Sequence, residues 1–257
     1  MELIVTTLVA FLTAILTFFS GFGLGTILMP VFAIFFPVEI AIALTGVVHF
    51  SNNLFKMTLV GKRADREVLI KFGIPAVLAS FAGAWLLLRI TRMPSLHEYQ
   101  LGDHNFEITP VKLIIAVLLI TFSLLEVLPS VKNIQFNRNK LALGGFLSGF
   151  FGGLTGIQGA IRSAFLIKCG LSKDAFIATG VIVAAFVDFT RLSVYASRFK
   201  QADLHDHILL IVLAVAAAIT GTLIGNKLLK KVTLKFVQLL VAILLFLIAL
   251  ALGAGLI

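Results

Sequence analysis

The chain has 257 residues, 60% of them hydrophobic and only 13% charged, with a formal net charge of +9 and a mean hydropathy of +1.09. A soluble domain carries about 25% charged residues, so this composition excludes an ordinary soluble protein and points to one that crosses a bilayer several times. The single cysteine, Cys169, excludes an intrachain disulfide and a cysteine-based metal cluster.

Ten apolar elements follow one another along the chain. Leu3–Phe19 comes first; Met1-Glu2 lacks the basic start of a leader, so this run is read as the first mature element. It ends in a glycine-rich break, Ser20-Gly21-Phe22-Gly23-Leu24-Gly25, followed by Thr26–Phe36, Val38–Val60, Leu69–Ile90 and Val111–Leu128. The polar connector Thr91 to Pro110, with His97, Glu98, Asp103, His104 and Glu107, is placed outside the membrane. Leu141–Phe151 leads into a second break, Ser148 to Gly156, which opens on the same Ser-Gly-Phe as the first. Gln158–Lys168, Ser172–Ala196, Ile208–Leu229 and Thr233–Leu252 complete the chain.

The two sets of five match in order. Thr45-Gly46-Val47 returns as Thr179-Gly180-Val181, Asn53 and Lys56 as Asp188 and Arg191, and Ala82-Gly83-Ala84 as Thr220-Gly221-Thr222. An odd number of elements per copy turns the second copy upside down. The basic connectors agree with that arrangement. With Gly61–Lys71 in the cytoplasm, thirteen Lys and Arg fall inside and five outside, and both termini lie outside. The bias assigns the positive charge to topology rather than to nucleic acid. The expected architecture is an all-α polytopic membrane protein, an inverted five-plus-five repeat: residues 1–130, a cytoplasmic linker 131–139, and residues 140–257.

Leu141–Phe151 and Gln158–Lys168 are each about 16 Å long at 1.5 Å per residue, too short for a hydrocarbon core of about 30 Å. They are read as a hairpin turning near the midplane on its glycines. Leu3–Phe36 is either the mirror hairpin or two spanning helices. Glycine-broken helices at matching places in two halves mark the binding site of secondary transporters, which puts Gly23, Gly25, Thr155 and Gly156 at the site.

An arginine near mid-bilayer costs about 2.5 kcal/mol or more and is functional by default. Arg162 stands just past the second break, in the first turn of a helix whose free N–H groups favour anions. It either faces a small anion together with Gln158 or snorkels or pairs with a carboxylate such as Asp188. Asp188 and Arg191 share a helix face at i, i+3, as do Asn53 and Lys56. Asp188 is read as a charge partner or a carrier of a coupling proton. Lys56 and Arg191 are near helix ends, where snorkelling competes with substrate contact. His49, Asn52 and Asn53 either bond between helices or line the path. Ser20 and Ser148 are read as helix caps. No metal-ligand spacing, nucleophile arrangement or nucleotide motif is present, so neither a cofactor nor an enzymatic reaction is expected.

The Ser-Gly-Phe-Gly-Leu-Gly segment with Pro30 after it, its echo around Gly149–Gly159, and the Thr-Gly-Val helix after each break resemble the sulfite exporter TauE/SafE family over nearly the whole chain. The resemblance implies a secondary transporter of the bacterial inner membrane that moves sulfite, sulfoacetate or a related organosulfonate, most simply outward. An anion channel and an uptake permease are the alternatives, and a homodimer is left open. It further implies a site between the two breaks that is lopsided in charge, because Gln158 and Arg162 have only Ile27, Leu28 and Pro30 as counterparts. Alternating access would come from rocking one repeat against the other.

Overall fold

Apolar segments in lipid must satisfy their own backbone groups, which leaves helices as the solution here. The computed structural model describes residues 1–18, 23–127, 136–167, 169–199, 207–228 and 234–257. Ser20, Gly21 and Phe22 of the first break and most of the linker expected at 131–139 lie outside the described residues.

Among the described residues ten helices occur in the predicted order: α1 (Glu2–Thr17), α2 (Leu24–Ala33), α3 (Val38–Val60), α4 (Arg66–Ile90), α5 (Pro110–Val127), α6 (Leu141–Thr155), α7 (Gly159–Leu166), α8 (Lys173–Phe199), α9 (Ile208–Leu228) and α10 (Leu234–Gly253). The protein is an all-α polytopic membrane protein. Among the described residues four helices, α3, α4, α8 and α9, are long and apolar enough to cross a bilayer by themselves. A π-turn at Leu69–Gly73 interrupts α4 just before Pro75, where a proline ring cannot accept a regular preceding turn.

Helix neighbours come in matched pairs across the two halves. α4 packs on α6 as α9 packs on α1, α3 meets α8, and α5 meets α10. The α4–α6 seam corrects the sequence reading of the second break. Gly149, Gly152 and Gly153 are not a loop; α6 runs helically through them to Thr155 and is fifteen residues long, not eleven. Gly145, Gly149 and Gly153 form an i, i+4, i+8 stripe, and a Cβ on them would lie 2.1, 1.9 and 2.2 Å from the carbonyl oxygens of Phe72, Ala76 and Ser80. These glycines let two backbones touch, the use small residues have between membrane helices. Gly221 and Gly225 of α9 stand likewise against the Phe11 and Ile15 carbonyls of α1, at 2.3 and 3.0 Å. Ser148, inside α6, caps nothing; its hydroxyl donates to the Gln158 carbonyl at 3.3 Å.

The true second break is three residues long. Gly156 ends α6 in the left-handed conformation (φ +79°) that glycine adopts without strain, and α7 restarts at Gly159. The tips of the two hairpins touch here, since a Cβ on Gly25 would lie 3.2 Å from the Gly156 carbonyl oxygen.

One end of the bundle carries Lys62, Arg63, Arg66, Lys71, Arg138 and Lys140. Arg138 meets Glu67 at 3.2 Å and Asp65 at 3.9 Å, and Arg63 meets Asp174 at 2.5 Å. Cys169 lies beside this network; burial pushes its thiol up, against the pull of Arg138. The other end holds the connector expected to be polar and extramembrane, which is an antiparallel hairpin, β1 (His97–Leu101) and β2 (His104–Ile108), turning at Gly102-Asp103. Tyr99 stacks on Phe106 and its hydroxyl donates to the Ala254 carbonyl at 2.5 Å, tying the hairpin to the end of α10.

Candidate functional site

α3 and α8 meet at the residues matched by sequence. Asn53 donates to the Asp188 carboxylate at 3.2 Å, so the two counterparts touch directly. Asp188 is fully buried, and a buried carboxylate must be matched by donors. Arg191 supplies Nε and Nη2, both at 2.9 Å from Oδ1, and His49 Nδ1 stands 2.6 Å from Oδ2. The Asp188–Arg191 pairing read as one option from the i, i+3 spacing is therefore present. Snorkelling is not: Arg191 is 0% and Lys56 5% exposed. α8 continues to Phe199, two turns beyond Arg191, which removes the route to the interface.

The repeated Thr-Gly-Val motif places both guanidinium groups. A Cβ on Gly46 would lie 3.3 Å from the Arg191 guanidinium carbon, and one on Gly180 would lie 3.2 Å from Arg162 Nε. In each half the bare glycine surface of a long helix receives an arginine from the other long helix or from the short one. The motif is a seat for a planar cation.

A cavity of about 30 Å3 opens between these elements. Of the predicted site residues it brings together Gly23, His49, Asn53, Lys56 and Arg162. Thr17, Phe18, Phe176, Ile177, Gly180 and Val181 complete the wall. The last six were not named as site residues from the sequence, although the Thr-Gly-Val repeat pointed at two of them. Lys56 Nζ lies 5.5 Å from the centre of the Phe18 ring, close enough for a cation–π contact. Among the described residues no carboxylate lies within 4 Å of Lys56. The single buried carboxylate nearby, Asp188, is engaged by His49, Asn53 and Arg191. Two basic side chains, Lys56 and Arg162, line the cavity together with His49, whose Nδ1 reaches Asp188.

The remaining candidates lie outside the cavity wall. Thr155 serves the turn, donating to the Phe151 carbonyl at 3.0 Å and accepting from Ile157 N–H at 3.1 Å. Asn52 accepts from Thr222 at 2.8 Å and joins α3 to α9, the interhelical role weighed for it. Gly25 and Gly156 form the contact of the tips. Gln158 is 1% exposed, and its side-chain amide has no hydrogen-bond partner among the described residues. No group of three or more metal-ligating side chains occurs among the described residues.

No curated protein and no solved structure matches the chain. A family model does: sulfite exporter TauE/SafE, over residues 6–252. The glycine seams, the touching hairpin tips and the cavity lined by Lys56 and Arg162 all fall within that stretch. The chain accordingly belongs to the sulfite exporter TauE/SafE family, a family of membrane transporters and not of enzymes.

Proposed function

We propose that the protein is a secondary transporter that exports a small sulfur oxyanion, with sulfite the simplest fit, across the bacterial inner membrane. The observation that carries this is the cavity between α3, α7 and α8 with Lys56 and Arg162 in its wall. Lys56 and Arg162 bring two buried cationic side chains to one small cavity, the donor set that recognises an oxyanion. Asn53 donates to the anion, and His49 stands behind it. A volume of about 30 Å3 accommodates about two water-sized groups, which favours an inorganic oxyanion over a longer organosulfonate. The Gln158 amide, one turn before Arg162 on α7, supports a path continuing toward the hairpin tips. Gly25, Thr155 and Gly156 shape that path through their backbone.

The basic end of the bundle faces the cytoplasm. The cavity lies in that half, between the middle and the basic end of α3. With no nucleotide motif in the sequence, the anion gradient and the membrane potential drive export. The two sequence repeats are poor candidates for the moving bodies, because the tightest seams, α4–α6 and α1–α9, each join one helix of each repeat. Access alternates instead around the α3–α8 crossing. Sulfite binding and liposome flux with Arg162→Ala test the site: the substitution lowers affinity by roughly 100-fold, the scale for removing one partner of a desolvated charge contact. Unchanged affinity removes Arg162 from the site.

A further inference from the structure

We infer that His49 is a proton-binding site facing the anion cavity, so that each anion crosses together with one proton. This rests on the anion-transport reading given above.

The geometry gives the two ring nitrogens different roles. Nδ1 is 2.6 Å from Asp188 Oδ2 and carries a hydrogen toward it. The other nitrogen, Nε2, faces the hairpin break, where a Cβ on Gly23 would lie 3.0 Å away, and the Asn53 amide nitrogen is 3.4 Å from it. His49 is itself part of the cavity wall. Asp188 cannot readily take the proton, because Oδ1 receives two contacts from Arg191, which stays charged. Histidine is the side chain whose charge changes closest to neutral pH. The pair therefore has one site that changes charge, Nε2, and it is the one on the cavity side.

The charged groups around His49 are Lys56 on its own helix, Arg162 on α7, and Asp188 and Arg191 on α8. With the cavity empty, a proton on Nε2 would add positive charge beside Lys56 and Arg162 and is unwelcome. An anion beside Lys56 and Arg162 reverses this balance. A proton taken from water then sits on Nε2 while Nδ1–H stays on Asp188, and it leaves with the anion on the other side. Anion and proton stabilise each other, and the linkage is reciprocal. A dianion accompanied by one proton still moves a net negative charge, so the potential continues to drive export.

The full chain in liposomes, with the potential clamped and a pH dye inside, tests this with thiosulfate, an anion that does not itself bind protons near neutral pH. The expected result is one proton moved per anion. His49→Gln moves anions more slowly and moves no protons. Wild-type thiosulfate flux with no pH change, or proton movement that persists in His49→Gln, overturns the inference and leaves the transporter reading standing. Failure to move either sulfite or thiosulfate defeats both. If His49→Gln does not fold, the wild-type protein still decides: anion affinity tightens by roughly tenfold as His49 protonates, a typical coupling, and a flat pH profile rules the coupling out.

Discussion

Asn53 with Lys56 and Asp188 with Arg191 occupy matching places in the two halves, and they have opposite outcomes. Asp188 engages Arg191 and His49, so the second-half cation is neutralised within the protein. Asn53 carries no charge, and Lys56 is left facing a cavity. A difference of one side-chain atom, nitrogen for oxygen, separates the neutral Asn53 from the charged Asp188 at these matching places. Matching backbone positions thus carry unmatched charge.

Removing the charge of the second half has the largest effect. Asp188→Asn leaves Arg191 buried without its counter-charge and should destabilise the protein by about 3–5 kcal/mol, the cost of breaking a buried pair, read as a large fall in the thermal midpoint in detergent. Making the halves alike tests the comparison most directly. Asn53→Asp would put two carboxylates in contact, where both cannot ionise together, and would give Lys56 a partner. Anion affinity should fall by tenfold or more, close to the ~1.5 kcal/mol lower range for charge pairs; an unchanged Kd would break the comparison.

The two glycine seams sharpen it in packing terms. Gly149→Ala forces a methyl against the Ala76 carbonyl and should cost about 1–3 kcal/mol in stability. Gly225→Ala, whose Cβ would have 3.0 Å rather than 1.9 Å, should cost less in the same unfolding experiment. The smallest effect belongs to the ion pairs that link the halves at the basic end. Arg138 is 45% exposed at the side chain, so Arg138→Ala should change stability by less than about 1 kcal/mol. That small difference should disappear in high salt.

Much of this was legible in the chain. Ten apolar runs gave ten helices, and Arg162, His49, Asn53 and Lys56 were singled out as polar groups in apolar surroundings. They do converge, because a charge that lipid cannot solvate must face the interior. The second glycine cluster misled for a physical reason: a bare backbone serves a turn or a helix seam, and only the partner helix decides which. Gly149 and Gly153 fall four apart, the helical spacing, which was the available signal for a seam. The β-hairpin was read only as polar connector, although Gly102-Asp103 between alternating residues is a hairpin signature. Phe176 and Ile177 carry no signal of their own; apolar walls of a cavity look like any other lipid-adjacent sequence.

The α1–α9 seam has a consequence for how the chain is made. α1 is synthesised well before α9, so the partner of α1 reaches the membrane only after α2 to α8 have left the ribosome. Until then the face of α1 that Gly221 and Gly225 come to cover, around Phe11, Ala14 and Ile15, meets lipid or a chaperoning insertase. Thr6 and Thr17 are suited to that wait, since their hydroxyls donate back to the carbonyls of Glu2 and Thr13, at 2.8 and 2.7 Å, within the same helix. The α4–α6 seam needs no such wait, since its two helices lie much closer together in the chain.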